Sequence, residues 1–477
     1  MTTNLVQPVP VPDLAAVNHS HLMAVGGAGM SPIAHLMRAR GIEVDGCDWA
    51  ESDTVLGLRA DGIPVAIGHD PSHLAGVDTL VASSAIRASN PELAAARAAG
   101  LPVWHRSVAL SGLMAGHLGV AITGTHGKST TSAMVATSLA ALDPSYVVGA
   151  VINQTGAAYR AGRPGGAFVI EADESDGSFL QYQPQVVTVT NIEADHLDRW
   201  GTPAAYAEGF AQLAGGLSVR RVALSADDPG TRALAKRLDA PVLFGESPAA
   251  EVRLSDIRLK GLGGTATVSW RGGVGQIELQ VPGRHNLQDA AAAVATAVAL
   301  RELIDIDIDG VIAALAQFRG TGRRFQIVGQ ARGITVVDDY AHHPTEITAT
   351  LSAARAVIGP DHALVACFQP HLYTRTRDFA AAFGQALSMA DLVCVTDVYA
   401  AREDPIPGVT GQLVADAVHA ITKYVPSLDE AVPALVDLVN GPVLGPGDMI
   451  VTLGAGDVTK VGPALLAALD EGDTHDR

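Results

Sequence analysis

A chain of 477 residues is too long for one hydrophobic core and suits about two to four domains of ordinary size. Hydrophobic residues make up 48%, charged residues 17% and aromatics only 4%, so Ala, Val, Leu and Ile must fill the cores, and composition gives no basis for disorder beyond the ends. The formal net charge of −18 excludes a general affinity for nucleic acid or anionic membrane, since no basic stripe exists to release counterions.

A phosphate could still be held by local dipoles, a few cations and a metal. Cys47, Cys367 and Cys394 are widely spaced in apolar runs, with no C-x-x-C pair, and read as buried thiols of a reducing cytosol. Met1 to Asp13 has neither a cationic start nor an apolar signal core, and no apolar run approaches ~18 residues. A soluble, cytoplasmic protein without membrane insertion is expected.

Short β-branched runs alternate with Ala-rich stretches, the α/β pattern of parallel sheets. His21 to Val25 reads as a strand, followed by a Gly-rich turn and a helix to Arg40; Glu43 to Cys47, Val65 to Ile67 and Thr79 to Ala82 add strands. This predicts an N-terminal Rossmann-like domain over 1–116. Val120 to Thr123 opens a second unit, continued by Ala167 to Ile170 and Val186 to Thr190. Two-periodic segments between Glu251 and Val281 predict a small antiparallel insertion, and a long Ala-rich helix follows Asn286. The unit is predicted to be a P-loop-type α/β domain over 117–324. A third, Rossmann-like domain over 325–477 takes its strands from Ile334 to Val337, Ala363 to Phe368, Asp391 to Val395 and Met449 to Leu453. The tail from Asp470 to Arg477 is expected to fray.

The most informative segment is Gly124-Thr125-His126-Gly127-Lys128-Ser129-Thr130, between an apolar strand and a helix. A helix N-terminus gathers unpaired N–H groups and positive dipole, which suits a polyphosphate. Glycines let the backbone approach, Lys128 can reach the outer phosphates, and the Ser129 hydroxyl can ligate magnesium. The strict eight-residue P-loop spacing fails, because Ile122 stands where its first Gly belongs. Two further strands end in acidic clusters, Glu171 to Asp176 and Asn191 to His196. Ligands in open α/β sheets lie beyond the carboxyl ends of strands, so both clusters should face the loop and offer oxygens to Mg2+. Solvated acidic loops are the ordinary meaning of such runs. Glu171, directly after its strand, is the stronger metal candidate; His196 is either a ligand or a hydrogen-bonded loop residue.

Gly26-Gly27-Ala28-Gly29 at the first strand–helix junction invites a dinucleotide reading, with Asp45 or Asp48 about 20 residues on. Pro32 occupies the third Gly position of that fingerprint, so the redox cofactor is the weaker reading. A pyrophosphate-bearing nucleotide sugar would use the same helix N-terminus. Ser83 and Ser84, after the Thr79 to Ala82 strand, could donate to it; Asp48 and His69 are nucleotide contacts or plain surface groups. In the third domain, Tyr340 and His342 follow the strand end Asp338-Asp339. Arg375 and Arg377 follow another, where a guanidinium can clamp a carboxylate. Arg375 is preferred.

Together these segments resemble the Mur ligase family over Ser20 to Gly456. The motifs are Gly26 to Ser31, Ser83 to Ile86, Gly124 to Thr130, Glu171 to Phe179 (EADESDGSF), Thr190 to Asp198 (TNIEADHLD), Gly283 to Asn286, Asp338 to Ile347 (DDYAHHPTEI) and Phe368 to Thr376 (FQPHLYTRT). The last two resemble the alanine-adding branch. The resemblance implies ATP-dependent ligation of L-alanine to the lactyl carboxylate of UDP-N-acetylmuramate through an acyl phosphate, with Mg2+, by a monomer or weak homodimer that binds no nucleic acid.

It also implies roles. Gly124 through Thr130 would bind ATP, with Lys128 on the phosphates. His285 and Asn286 would lie on the adenine side, and Arg324 and Asp339 would also serve the nucleotide. Ser129, Glu171 and His196 would hold metal. Gly27, Gly29, Met30, Ser31, Asp48, His69, Ser83 and Ser84 would contact the nucleotide sugar, and Tyr340, His342, His371 and Arg375 the amino acid. His342 or His196 would take the amine proton. Ser129 replaces the Thr usual in that branch and keeps the hydroxyl. No lysine lies between Lys128 and Lys236, so the carbamylated lysine of sister ligases has no counterpart here. Rival readings are a ligase that reattaches a recycled peptide to the same nucleotide sugar, a nicotinamide-dependent dehydrogenase, and a non-catalytic sensor.

Overall fold

The computed structural model describes residues 5–401 and 403–475, in which three sheets carry the chain. Contacts group the residues into two compact units. One holds the chain up to Ser255 with Val268–Gly275 and Asp289–Leu315; the other holds Asp256–Thr267, Gln276–Gln288 and the residues from Ala316 on.

The first sheet is parallel throughout, in the order Val65–Ile67, Glu43–Asp48, His19–Met23, Thr79–Ala82, Val103–His105. Its last strand escapes a sequence reading because three residues, Val-Trp-His, carry no periodicity. The helix Ser31–Ala39 starts at Pro32, whose missing N–H is no loss in a first turn, and buries Ile33, Ala34, Leu36 and Met37.

In the second sheet the order is Gly273–Leu279, Gly263–Trp270, Val252–Lys260, Val242–Gly245, Arg221–Ser225, Val186–Val189, Leu118–Thr123, Ala167–Glu171, Ser145–Ile152, Ala157–Arg160. The strand feeding the phosphate loop therefore lies between the two strands that end in acidic clusters. Val189 pairs with Thr123 on one side and Glu171 with Ile122 on the other. The residues predicted as a small antiparallel insertion form one edge of this sheet, where Val252–Lys260 begins parallel to Val242–Gly245.

The third sheet runs Gln326–Ala331, Ile334–Asp339, Met449–Leu453, Leu364–Phe368, Leu392–Val395, Ile421–Tyr424, with only the first strand antiparallel. Its four predicted strands are present, and Ile334–Asp339 runs two residues beyond the expected Val337. All three cysteines are buried and free.

Both ends carry structure, and the expectation of a frayed tail needs correction. Near the N-terminus, Val6 donates to Asp176 O at 2.8 Å and Val9 exchanges hydrogen bonds with the Gln181 side chain at 2.8 and 2.9 Å, so this stretch is tied down. At the other end, Val461–His475 is one helix, so the tail stays helical to His475; Asp476 and Arg477 lie outside the described residues.

Aromatic residues are scarce but concentrated. Phe179, Trp200, Tyr206 and Phe210 pack edge to face in the first unit, with centroids 5.2–6.1 Å apart. Such pairs add roughly 0.5–1.5 kcal/mol each beyond the area they bury. The polar edge of this group faces the phosphate loop: Tyr206 Oη lies 2.9 Å from Thr125 Oγ1 and 3.2 Å from Glu174 Oε1, and Trp200 Nε1 donates to Glu174 O at 2.9 Å.

Candidate active site

The loop after Leu118–Thr123 turns on two glycines at positive φ, Gly124 at 135° and Gly127 at 79°. A Cβ on Gly124 would drive into Thr190 Oγ1, and one on Gly127 would meet Asp289 Oδ1 at 2.7 Å. Gly127 caps the helix Lys128–Ser138 without a side chain, so the first N–H groups of that helix are left for a ligand. The other loop side chains hold the loop. Thr125 Oγ1 donates to Glu193 O at 2.8 Å, and His126 takes Asn191 Oδ1 on its N–H at 2.8 Å and sets Nε2 2.9 Å from Glu193 Oε2. Thr130 is buried.

Lys128 Nζ curls back to Gly124 O at 2.8 Å, Thr125 O at 3.1 Å and Glu174 Oε2 at 2.9 Å. Burial pulls its pKa down, but the carboxylates of Glu174, Asp173 and Glu171 more than offset this and raise the ammonium above its usual range. Burial also pushes the Glu174 carboxyl up to about 7 against the pull of Lys128. Asp173 goes the other way. Burial opposes its charge, yet Arg106 and Lys128 bring it down to about 2. An ammonium is thus parked on one wall of the loop by carboxylates, one of which can shed its charge.

Glu171 accepts from Ser129 Oγ at 3.0 Å and from Gly149 N at 2.5 Å. A hydroxyl and a carboxylate side by side at a helix N-terminus are the hard oxygen donors that Mg2+ takes. His196, at φ 52°, places Nε2 3.6 Å from Asp195 Oδ2 and 3.9 Å from Glu174 Oε1.

The first-domain residues divide. Gly27 and Gly29 sit in the turn ahead of Met30 and Ser31, where Met30 and Ser31 donate to Gly27 O at 2.9 and 3.0 Å. Asp48 accepts from Gly26 N at 2.8 Å and closes that turn on itself, while Asp45 pairs with His21 and His19. Both acids of the dinucleotide reading thus have partners inside the protein. Ser84 Oγ donates to Asp176 Oδ2 at 3.0 Å, and Ser83 Oγ accepts from Ala85 N at 3.4 Å. His69 is turned inward, 3.2 Å from Cys47 Sγ and from Glu92 Oε2.

Arg106 is a residue that sequence reasoning missed. It opens the helix Arg106–Met114, lies against Gly29 and reaches Asp173 Oδ2 at 3.4 Å. Its signal was a cation at the first helical position after a strand end, lost because that strand was unread. Asp289, which accepts from Thr131 Oγ1 at 2.9 Å, was missed too.

In the second unit, Tyr340, His342 and His371 come together. Ring centroids lie 5.3 Å apart for Tyr340 and His342 and 5.7 Å for His342 and His371, and His371 stacks on Tyr399 at 5.8 Å. Arg323 and Arg324 both lie over the Tyr340 ring, at 4.9 and 5.4 Å. Arg323 is tied to Asp338 Oδ2 at 3.0 Å and Gly454 O at 2.6 Å; Arg324 approaches Glu346 at 3.8 Å. Asp339 accepts from Phe325 N at 2.7 Å and Ala341 N at 2.8 Å, and burial, opposed by Arg324, pushes its carboxyl up to about 6. Burial, reinforced by Arg324, lowers His285 to about 4, and Asn286 donates to Pro282 O at 2.6 Å. Arg375 is 6% exposed, whereas Arg377 is exposed and pairs with its neighbour Asp378 at 2.7 Å.

Three family models match in succession, the Mur ligase family catalytic domain over 19–118, the Mur ligase middle domain over 122–297 and the Mur ligase glutamate ligase domain over 323–456. A UDP-N-acetylmuramate–L-alanine ligase of Cutibacterium acnes is 52% identical, covering 98% of this chain and 99% of its own. The chain belongs to the Mur ligase family. Among solved structures, a UDP-N-acetylmuramate–alanine ligase of Thermotoga maritima superimposes on this Mur ligase with a TM-score of 0.78 at 28% identity, over 95% of this chain and 99% of that one. A murein peptide ligase of Psychrobacter arcticus shares the fold, with a TM-score of 0.69 at 23% identity over 94% and 98%. No helix among the described residues of this Mur ligase is long and apolar enough to cross a membrane.

Proposed function

We infer that this Mur ligase joins L-alanine to the lactyl carboxylate of UDP-N-acetylmuramate at the expense of ATP, giving UDP-N-acetylmuramoyl-L-alanine, ADP and phosphate in peptidoglycan synthesis. The observation that carries the chemistry is Lys128 at the mouth of an uncapped helix, flanked on both sides by strands that end in carboxylates. The full-length identity to alanine-adding relatives carries the choice of substrates.

The proposed division of labour places the nucleotide sugar on 1–116, ATP on 117–324 and the amino acid on 325–477. Gly124 through Thr130 would cradle the triphosphate, with Lys128 exchanging its parked contacts for phosphate oxygens; His285, Asn286 and Asp339 serve the nucleotide, and Arg324 adds a second cation. Phosphoryl transfer is mainly positioning and electrostatics, so these cations supply most of what the step requires. Ser129 and Glu171, with His196, would hold Mg2+, whose chemistry is to neutralise phosphate charge. The lactyl carboxylate takes the γ-phosphoryl group and releases ADP; the amine of alanine, its carboxylate held by Arg375 beside Tyr340 and His371, then attacks the carbonyl of that acyl phosphate, and phosphate leaves. His342 takes the amine proton, or His196 where it does not hold the metal. Gly27, Gly29, Met30, Ser31, Asp48, His69, Ser83 and Ser84 remain the proposed nucleotide-sugar contacts; Ser84 is held by Asp176 and His69 by Cys47 and Glu92 in the structure described above. The reaction is placed in the cytoplasm, in a monomer or weak homodimer, with no role for nucleic acid.

The deciding assay is phosphate release from ATP in the presence of UDP-N-acetylmuramate across a panel of amines. L-alanine as the best amine supports the reading. Preference for an alanine-led peptide would make the chain the recycling ligase, and NAD(P)H oxidation without phosphate release would make it a dehydrogenase.

A further inference from the structure

Behind the first sheet lies a cluster that ligase chemistry does not use. His21, Cys47, His73 and Glu92 each present one donor atom, and these four atoms lie within 4.8 Å of one another. Glu92 is the centre: its carboxylate meets His21 Nε2 at 2.9 Å, His73 Nδ1 at 3.1 Å and Cys47 Sγ at 3.1 Å. Cys47 and Glu92 are fully buried, His21 is 1% exposed, and His73 keeps a partly open edge. His69 Nδ1 stands 3.2 Å from both Cys47 Sγ and Glu92 Oε2.

We propose that His21, Cys47, His73 and Glu92 form a tetrahedral binding site for a zinc-class divalent cation in the first domain. Four observations carry this. The donor set of two imidazoles, one thiolate and one carboxylate is the nitrogen, sulfur and oxygen mixture that zinc takes with four ligands. Zinc bonds of about 2.0–2.3 Å require neighbouring donors ~3.3–3.8 Å apart; His21 and His73 stand 2.9 and 3.1 Å from Glu92 Oε1, Cys47 stands 3.1 Å from Glu92 Oε2, and one donor atom from each of the four residues lies within 4.8 Å of the others, so small shifts suffice. His21 Nδ1 faces Asp45 Oδ1 at 2.6 Å, so a cation that replaces the Nε2 proton completes a carboxylate–histidine–metal arrangement. Although Nε2 comes within 2.9 Å of Glu92 Oε1, it is a buried nitrogen without a well-directed hydrogen bond.

Charge closes the argument. In the loaded site a thiolate and a carboxylate cancel a divalent cation and both imidazoles are neutral, so the four ligands and the cation carry no net charge. Burial opposes a charge on His21, but Asp45 and Glu92 hold it protonated in the metal-free fold, so binding expels two protons to solvent, one from the Cys47 thiol and one from His21 Nε2, as the sulfur–metal and nitrogen–metal bonds form. The ligands come from the strand His19–Met23, the end of Glu43–Asp48, the turn Pro71–Leu74 and the helix Pro91–Ala98, so the cation would pin four segments of one domain.

The test uses the full-length protein, stripped with chelator and titrated with Zn2+ or Co2+. Expected are one tight equivalent, a rise in melting temperature, and for Co2+ a thiolate-to-metal charge-transfer band with the strong visible bands of tetrahedral geometry. Cys47→Ser should abolish the charge-transfer band. His73→Ala, at the partly open edge and therefore least able to upset folding, should weaken affinity at least about tenfold, as should Asp45→Asn. A Co2+ complex lacking the thiolate band, or Zn2+ affinity unchanged in His73→Ala, would overturn the proposal; a metal held only at Ser129 and Glu171 gives that same bandless spectrum.

Discussion

The phosphate loop and the proposed amino-acid end solve opposite problems. Around Lys128 the structure packs charge: an ammonium, three carboxylates and a guanidinium, underpinned by Tyr206 and Trp200. At the proposed amino-acid end it gathers rings: Tyr340 and His342, His342 and His371, and His371 and Tyr399 have centroids 5.3, 5.7 and 5.8 Å apart. The first arrangement stores compensated charge that a triphosphate would displace. The second would shape a space around one small zwitterion, with Arg375 as the proposed clamp. Where the ligand is highly charged, the protein supplies exchangeable partners; where it is small, the protein supplies walls.

The largest effect should come from removing the displaceable cation. Lys128→Ala should reduce phosphate release by at least about a hundredfold. Binding of UDP-N-acetylmuramate, measured by calorimetry, should survive, because its proposed contacts lie in the first sheet. The fold should survive as well, since Glu174, already pushed up to about 7, can take a proton once its partner is gone. If sugar binding disappears with the lysine, the contrast between a charge store and the rest of the molecule is wrong.

Next in size is Arg375→Ala. A hydrogen-bonded charge pair is worth about 1.5–3 kcal/mol, so the KM for alanine should rise roughly ten- to hundredfold while that for ATP stays put. Equal rises in both constants would move Arg375 out of the amino-acid end and blur the comparison. Tyr206→Phe probes the other side. It keeps the ring and removes the oxygen between Thr125 and Glu174, so stability should fall by about 1–3 kcal/mol with a milder loss of phosphate release.

One buried histidine in each compact unit offers a comparison by pH. Burial lowers His105 from 6.5 to about 4, and burial with Arg324 does the same to His285. Both are neutral in the fold and take protons earlier when unfolded, so their contribution is present above 6.5 and is lost as pH falls toward 4. Asp339 works in the opposite sense, because its carboxyl is raised to about 6 and protonates first in the fold as pH falls from there toward 3.8. Glu174, pushed up to about 7, acts in the same sense as Asp339, so the two histidines are read by difference from the parent. Denaturant melts from pH 7.5 to 5 should show His105→Gln and His285→Gln each losing less stability, or gaining more, than the parent as the pH falls. A parallel decline would mean that these imidazoles are already charged in the fold.

The same contrast explains what could be read from sequence. The phosphate loop was legible because its chemistry is contiguous: seven residues set the turn, the cation and the helix start, and one strand on either side delivers the acids. Arg106 was not legible, because the strand Val103–His105 that aims it is three residues long and has no period. The His21 cluster was less legible still. Its ligands are 19 to 71 residues apart pairwise along the chain and share no motif, so only the closure of a parallel sheet brings them together. His69 shows what spacing leaves out: a histidine after a strand end reads as a ligand contact or a surface group, and nothing in the sequence shows that it also stands beside a thiol and a carboxylate.

The smallest expected effect sharpens the comparison most cheaply. Arg375 and Arg377 stand two residues apart on one helix, Tyr373–Leu387, and two residues on a helix do not share a face. The first is 6% exposed; the second is exposed and held by Asp378. An exposed pair of this kind contributes little, because solvent screens it and two long side chains must be ordered to form it. Arg377→Ala should therefore change stability by less than about 0.5 kcal/mol and leave the alanine KM within error of the parent. Should it instead weaken alanine binding as strongly as Arg375→Ala, guanidinium density rather than a single clamp would define that end. The amino-acid site would then resemble the phosphate loop in kind.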